Sequence, residues 1–93
     1  MELKGMKVIV IGLGKSGFEL LGFLDRRQVE TVAYDSRDAD SMSGLERFSD
    51  RISFRCEQNP SGDEECDLVI VSPGISMNLD FMKRFRERKV EIA

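Results

Sequence analysis

The chain has 93 residues, enough for one domain, and a formal net charge of −3, so it offers no overall attraction to nucleic acid or to an anionic membrane. It contains no histidine and two cysteines, Cys56 and Cys66, whose spacing fits no metal or redox motif. These counts exclude Ser-His-Asp and Cys-His catalysis and histidine metal sites within the chain. Because no long apolar run or signal-peptide pattern is present, we expect a cytoplasmic protein with reduced thiols.

The first predicted element is a buried strand that leads into a glycine-rich loop. After a short lead-in over Met1–Met6, residues Val8–Ile11 form an unbroken run of branched apolar residues, typical of a strand buried on both faces of a parallel sheet. Glycines then follow in the pattern G-x-G-x-x-G over residues 12–17, and apolar residues at helical spacing predict a helix from about Ser16 to Arg27. The glycines therefore lie between a strand and a helix, the context in which this pattern indicates phosphate binding.

Each glycine of this loop has its own expected role. Gly12 lets the chain turn off the strand, Gly14 lets the backbone approach a phosphate closely, and Gly17 lets the helix pack against the strand. The first N–H groups of the helix would then face an anion, so the loop predicts a diphosphate-binding site; the alternative is that the glycines only shape a tight turn. The run G-K-S at 14–16 resembles the end of a P-loop, but that motif needs a glycine where Ile9 stands, so we do not expect an ATPase site.

Glu30–Tyr34 is the second predicted strand, and Asp35 ends it. A right-handed crossover makes this strand parallel to the first and adjacent to it. The carboxyl ends of the two strands then open on the same edge of the sheet. We therefore expect Asp35, Ser36 and Arg37 beside the glycine loop.

The middle of the chain is more polar. We expect Ser43 to cap a short helix that carries Leu45 and Phe48. Ile52–Phe54 is predicted to form a short third strand. The acidic segment Glu57–Asp67 contains a cluster of turn residues and is predicted to be a loop with little fixed structure, whose charges are simply solvated.

A buried fourth strand, Leu68–Val71, ends in the sequence Ser-Pro-Gly-Ile at residues 72–75. Asn78 is predicted to cap a last helix, Leu79–Arg88, whose apolar residues face the sheet and whose basic side faces solvent rather than nucleic acid. Val90–Ala93 reads as the start of a fifth strand. Because the chain stops there with no polar tail, we expect it to end at a domain boundary of a longer protein.

These elements predict an α/β fold. We expect a single Rossmann-like domain over residues 1–93, with an open parallel sheet of about five strands in the order 3-2-1-4-5 and helices on both faces. Ligands of such sheets bind where the strand order reverses, here between the first and fourth strands. Three loops line that crevice: Gly12–Gly17, Asp35–Arg37 and Ser72–Gly74.

Chemistry alone leaves two kinds of nucleotide open for this crevice. In a dinucleotide site, such as one for NAD(H), Asp35 would accept hydrogen bonds from the adenosine ribose. In a uridine nucleotide site, Ser36 and Arg37 would donate to the uracil carbonyls, Asp35 would accept from the uracil N–H, and the guanidinium would stack on the ring. A third reading makes Asp35 only a turn residue after the strand.

Three stretches carry a resemblance to a known family. Residues 8–17, 35–37 and 71–75, in this order and at this spacing, resemble the N-terminal domain of the Mur ligases, and are most similar to the members that add D-glutamate. The resemblance covers essentially the whole chain. It implies binding of the UDP part of UDP-N-acetylmuramoyl-L-alanine, with the glycine loop at the diphosphate, the second loop around the uracil and the third loop on the other side of the nucleotide. The residues so implied are Gly14, Lys15, Ser16, Gly17, Asp35, Ser36, Arg37, Ser72, Pro73 and Gly74.

The same resemblance implies what the longer protein does. A parent enzyme of this family uses ATP to convert the alanine carboxylate to an acyl phosphate, which the D-glutamate amine then attacks, a step of peptidoglycan synthesis. ATP, magnesium, the P-loop and a modified lysine belong to the family's central domain, and the D-glutamate site belongs mostly to its C-terminal domain. We therefore expect no catalytic residue, metal or cofactor in this chain. The alternative is an NAD(H)-binding regulatory or dehydrogenase domain, which does not call for the Ser-Pro-Gly sequence at residues 72–74.

Overall fold

A computed structural model describes residues 3–93; the first two residues of the predicted lead-in lie outside this range. In chain order the elements are β1 (Lys7–Ile11), α1 (Lys15–Arg26), β2 (Glu30–Asp35), β3 (Ile52–Cys56), β4 (Leu68–Val71), α2 (Asp80–Glu87) and β5 (Glu91–Ile92). The strands form one five-stranded sheet in the order β3-β2-β1-β4-β5, and every neighbouring pair is parallel. The predicted fold class and strand order are confirmed.

β1 is the central strand of the sheet, and apolar side chains cover both of its faces. Val8 and Val10 belong to a core cluster with the α1 residues Leu21 and Leu24. Alternate residues of the strand point to the other face, where the second cluster contains three buried α2 side chains, Phe81, Met82 and Phe85. Burial of each such side chain stabilises the fold by about 1.5–3 kcal/mol. The unbroken apolar run was therefore a correct sign of a strand buried on both sides.

The connection between β2 and β3 contains no α-helix. It forms two 3-10 turns, Ala39–Ser41 and Leu45–Arg47. The first turn is capped by Asp38, whose carboxylate accepts a hydrogen bond from the Ser41 N–H at 2.8 Å. The second begins after Gly44, which has a left-handed φ of 85°. The predicted short helix is present only as the 3-10 turn Leu45–Arg47. The predicted Ser43 cap is wrong, because the left-handed Gly44 is the N-cap residue of that turn.

The acidic segment at 57–67 is fixed against α2, so the prediction of little fixed structure is wrong. The Glu64 carboxylate accepts hydrogen bonds from the backbone N–H groups of Ser61 at 2.8 Å and Gly62 at 2.9 Å. Arg84 forms an ion pair with Asp63 at 2.9 Å, and Arg88 donates to the Gly62 carbonyl at 2.6 Å. Part of the basic side of α2 therefore holds this loop.

The ends of the helices differ slightly from prediction. α1 begins at Lys15, one residue earlier than expected, and α2 follows Leu79, which makes no side-chain cap. Asn78 does not cap α2; its backbone N–H donates to the Ser76 hydroxyl at 3.1 Å. Within residues 3–93, no helix is long and apolar enough to cross a membrane.

Candidate functional site at the carboxyl edge of the sheet

Gly12 makes the turn that leads from β1 into the site. Its φ is 91°, a left-handed conformation that favours glycine, and a Cβ placed there would lie 2.7 Å from the Cβ of Ser72. Its N–H donates to the Tyr34 carbonyl at 2.9 Å. The loop after β1 therefore passes in close contact with the ends of both neighbouring strands, as the predicted role of Gly12 requires.

Gly17 and Gly14 have contrasting surroundings. A Cβ on Gly17 would lie 2.8 Å from the Gly12 carbonyl oxygen, so α1 approaches the loop closely at this position. A Cβ on Gly14 would meet no other atom within 4 Å. Packing therefore explains a glycine at position 17, whereas at position 14 the backbone faces open space, as expected where a ligand approaches.

The start of α1 presents free backbone donors to this space. Gly14 is the N-cap residue, and the first helical hydrogen bond runs from the Phe18 N–H to the Gly14 carbonyl at 3.0 Å. The N–H groups of Lys15, Ser16 and Gly17 therefore have no acceptor within the helix. The first turn of α1 contains no acidic side chain, and its N-cap residue, Gly14, has no side chain that could accept a hydrogen bond. An anion at this position would therefore meet free N–H donors and the positive end of the helix dipole.

A cavity of about 230 Å³ lies between this helix start and the end of β4. Its rim is formed by the loop residues from Gly12 to Gly17 other than Leu13, and by Ser72 and Pro73. Apolar side chains form the remaining wall: Val10, Leu20, Ile70 and Val71. The cavity is therefore the predicted crevice between the first and fourth strands.

The third predicted loop is a tight turn held against β1. The Ser72 N–H donates to the Ile11 carbonyl at 2.9 Å, and the Ile75 N–H donates back to the Ser72 carbonyl at 3.0 Å. Gly74 is exposed and does not line the cavity, and a Cβ on it would meet nothing within 4 Å. The structure thus brings Ser72 and Pro73 next to the glycine loop, with Gly74 at the outer side of the turn.

Asp35 is buried, and both of its oxygens are bonded within the protein. Oδ2 accepts from the Leu13 N–H at 2.8 Å and from Nη2 of Arg37 at 3.1 Å. Oδ1 accepts from the Arg37 N–H at 2.8 Å and from its Nε at 3.0 Å. Nη2 of Arg37 also donates to the Leu13 carbonyl. The end of β2 is thereby tied to the middle of the glycine loop.

These bonds fix the charge of the carboxyl group. The hydrogen bond from the Arg37 side chain lowers the pKa of Asp35 to about 2, burial opposes this shift, and the backbone N–H groups of Arg37 and Leu13 lower the pKa further. Asp35 is therefore ionised at neutral pH. Within residues 3–93, no three His, Cys, Asp or Glu side chains are grouped so that they could hold a metal ion.

The predicted residues lie in two groups on either side of Leu13. One group lines the cavity: Gly14, Lys15, Ser16, Gly17, Ser72 and Pro73. The other group, Asp35, Ser36 and Arg37, does not line it and is joined to it through the backbone of Leu13. Ser36 and Arg37 are exposed, whereas Asp35 is buried. Contact of either group with a nucleotide stays a prediction.

Leu13 is the residue of this site that the sequence did not single out. Its side chain is buried with the α1 core cluster, while its backbone N–H and carbonyl both bond the Asp35 and Arg37 pair. An apolar residue between two glycines is the only signal in the sequence, and it indicates burial rather than the backbone contacts.

Comparison with known proteins decides the family. A family model described as "Mur ligase MurD-like, N-terminal domain" matches residues 6–93. The chain belongs to this family. The resemblance inferred from the three loops is confirmed, and the Rossmann-like sheet agrees with it.

Curated relatives match along almost the whole chain. The enzymes named UDP-N-acetylmuramoylalanine--D-glutamate ligase from Thermoanaerobacter pseudethanolicus and Thermoanaerobacter sp. (strain X514) are 39% and 38% identical to it over 95 residues, covering 99% of this chain and 21% of each relative. The enzyme of the same name from Clostridioides difficile (strain 630) is 29% identical over 90 residues, covering 92% of this chain and 20% of the relative. The chain spans about a fifth of the length of these relatives.

Proposed function

We propose that this domain binds the UDP part of UDP-N-acetylmuramoyl-L-alanine, as the substrate domain of an ATP-dependent ligase that adds D-glutamate in peptidoglycan synthesis. The observation that carries the proposal is the set of free N–H groups at the start of α1, which face a cavity closed by Ser72 and Pro73. Family membership adds the substrate class, because the curated relatives are named as ligases of UDP-N-acetylmuramoylalanine and D-glutamate.

The diphosphate is assigned to the glycine loop. The N–H groups of Lys15, Ser16 and Gly17 can donate to its oxygens, and the Ser16 hydroxyl can add another donor. Lys15 is exposed at the rim of the cavity, and its ammonium group can reach an anion bound there. Gly14 has no side chain to stand in the way, and the space beside it is open.

The uracil is assigned to the group at the end of β2. Ser36 and the Arg37 guanidinium are exposed, so the hydroxyl can donate to a uracil carbonyl and the planar guanidinium can stack on the ring. Ser72, Pro73 and Gly74 are assigned to the opposite side of the nucleotide. The four hydrogen bonds at Asp35 leave its oxygens no open position for the ribose hydroxyls that the NAD(H) alternative requires, or for the uracil N–H. Recognition of the base is therefore assigned to Ser36 and Arg37.

The chemical step is assigned to regions outside this chain. The chain spans about a fifth of its relatives, and the proposal assigns ATP, magnesium and D-glutamate to the central and C-terminal domains of the parent enzyme, which works in the cytoplasm. This domain alone would hold the substrate and perform no ligation. Ligation by the 93 residues alone would contradict this part of the proposal.

Calorimetric titration of the Ser36→Ala, Arg37→Ala double variant with UDP tests the base assignment. We expect at least about a tenfold weaker affinity, since one hydrogen bond and the stacking partner are lost. Ser36→Ala is also measured alone, because Arg37 bonds Asp35 as well. Ser43→Ala, an exposed serine outside the site, is the matched control and should bind like the parent. Unchanged affinity in the double variant would remove the uracil from this position.

A further inference from the structure

The hydrogen-bonding positions of the Asp35 carboxylate are all occupied by groups of the protein itself. Each of its two oxygens accepts two hydrogen bonds, and all four come from Leu13 and Arg37. A carboxylate has about four lone-pair positions. An additional ligand group could bind Asp35 only by displacing one of these bonds.

The partner residues show what the bonds accomplish. Leu13 lies between Gly12 and Gly14, where glycines leave the backbone freedom to move. The Asp35 carboxylate holds the Leu13 N–H, and Arg37, itself held by Asp35, donates to the Leu13 carbonyl. The backbone N–H and the carbonyl of Leu13 are therefore both held by residues at the end of β2. Because α1 begins only two residues later, at Lys15, the same bonds set the position of its free N–H groups.

We propose that Asp35 is a positioning residue of the nucleotide site rather than a ligand contact. It holds the glycine loop in the conformation that receives the diphosphate, and it holds the Arg37 guanidinium where the base would lie. Loop and guanidinium are thus aligned before binding, which reduces the ordering that binding would otherwise require. This inference rests on the proposed function, and it replaces the expectation that Asp35 accepts a hydrogen bond from uracil or ribose.

Asp35→Asn separates the two roles of this side chain. The amide keeps the shape of the carboxylate, but its NH2 group cannot accept a hydrogen bond, so contacts with Leu13 or Arg37 are lost. The affinities for UDP and for inorganic pyrophosphate are measured by NMR titration. Positioning predicts that pyrophosphate binding weakens by about tenfold, which corresponds to about 1.4 kcal/mol. UDP binding should weaken by at least as much, because the Arg37 guanidinium is also released from the position of the base. A direct contact with the base or ribose predicts a loss for UDP and none for pyrophosphate, and that result would overturn the inference.

A measurement without ligand keeps this test separate from the proposed function. In Asp35→Asn we expect faster amide hydrogen exchange at Leu13 and loss of the slowly exchanging Arg37 Nε–H signal. Failure of the parent chain to bind either ligand would contradict the proposed function, whereas unchanged exchange at Leu13 would contradict the positioning role. Asp38→Asn is the matched control, since its carboxylate bonds Ser41 and not the loop. If Asp35→Asn does not fold, Arg37→Lys, at an exposed position, tests the loop through pyrophosphate alone. Weaker pyrophosphate binding is expected, because the bonds of Arg37 to Asp35 and Leu13 are altered. Unchanged pyrophosphate affinity would contradict the positioning role.

Discussion

Gly14→Ala separates the requirements of the fold from those of the ligand. Gly14 has φ −79° and ψ −168°, an extended backbone that any residue adopts, and a Cβ there would meet no atom within 4 Å. The fold therefore does not need a glycine at this position. Since glycine and alanine differ by only a few tenths of a kcal/mol to about 1 kcal/mol at a helix N-cap, the free energy of unfolding should change by less than about 1 kcal/mol.

The same methyl group should weaken diphosphate binding. Gly14 lines the cavity of about 230 Å³ beside the free N–H groups of α1, so the methyl would stand where a phosphate oxygen approaches. Hydrogen bonds to a charged group contribute about 1.5–3 kcal/mol each. Loss of one such bond raises the Kd for UDP by about 10- to 150-fold.

Thermal unfolding and calorimetric titration with UDP measure the two effects separately. Gly22→Ala is the matched control on the same helix: its Cβ would lie 3.3 Å from Nη1 of Arg26, the far end of a flexible side chain, and it should leave UDP affinity unchanged. A folded Gly14→Ala variant with the parent's affinity would refute the assignment of the diphosphate to this loop. A variant that fails to fold would refute the description of Gly14 as free of packing.

Two further predictions concern stability. Gly62→Ala should destabilise the chain by about 2 kcal/mol or more in chemical denaturation, because Gly62 has φ 96° and its Cβ would lie 2.6 Å from the Arg84 Cβ and 2.8 Å from the Phe81 carbonyl oxygen; a neutral effect would contradict the docking of segment 57–67 on α2. The pKa of Asp35 is lowered from 3.8 to about 2, so its stabilisation is present above about pH 4 and is lost as pH falls through about 2, a loss of about 2 kcal/mol. The difference in free energy of unfolding between the parent and Asp35→Asn should therefore be smaller at pH 2 than at pH 5 by about 2 kcal/mol, and a difference that does not shrink would contradict the low pKa.

The sequence was sufficient for the sheet and for the neighbourhood of the site. Four consecutive apolar residues at Val8–Ile11 are typical of a strand buried on both faces. The alternation of strands and helices, joined by right-handed crossovers, then predicted the strand order. The same rule placed Asp35 at the end of β2 beside the glycine loop, which the structure confirms.

The bonds within the site could not be predicted in the same way. Residue spacing shows that Asp35 is near the loop, but it does not show which donors its carboxylate meets, since backbone and side-chain donors compete with any ligand for the same oxygens. The backbone contacts of Leu13 leave no pattern in the sequence, because every residue type has the same N–H and carbonyl groups.

Local capping preferences were also outweighed by neighbouring residues. Ser43 is a good cap in isolation, but Gly44 after it is left-handed and Asp38 caps an earlier turn. The acidic composition of segment 57–67 suggested solvation, whereas Glu64 turns inward to the backbone of its own loop. The close packing of Gly62 against Phe81 and Arg84 could not be predicted, because a glycine in a turn-rich segment does not show which residues lie beside it.

NMR titration of the ¹⁵N-labelled domain with UDP-N-acetylmuramoyl-L-alanine, UDP, NAD and ATP in parallel determines which nucleotide the crevice binds. The proposed function predicts chemical shift changes at Gly14–Gly17, Ser36, Arg37 and Gly74 with the two uridine ligands. With NAD or ATP it predicts no change at Ser36 and Arg37, since only their diphosphates would contact the glycine loop. Changes at the same residues with NAD, and none with UDP, would contradict it and would make the chain a dinucleotide-binding domain with the same fold.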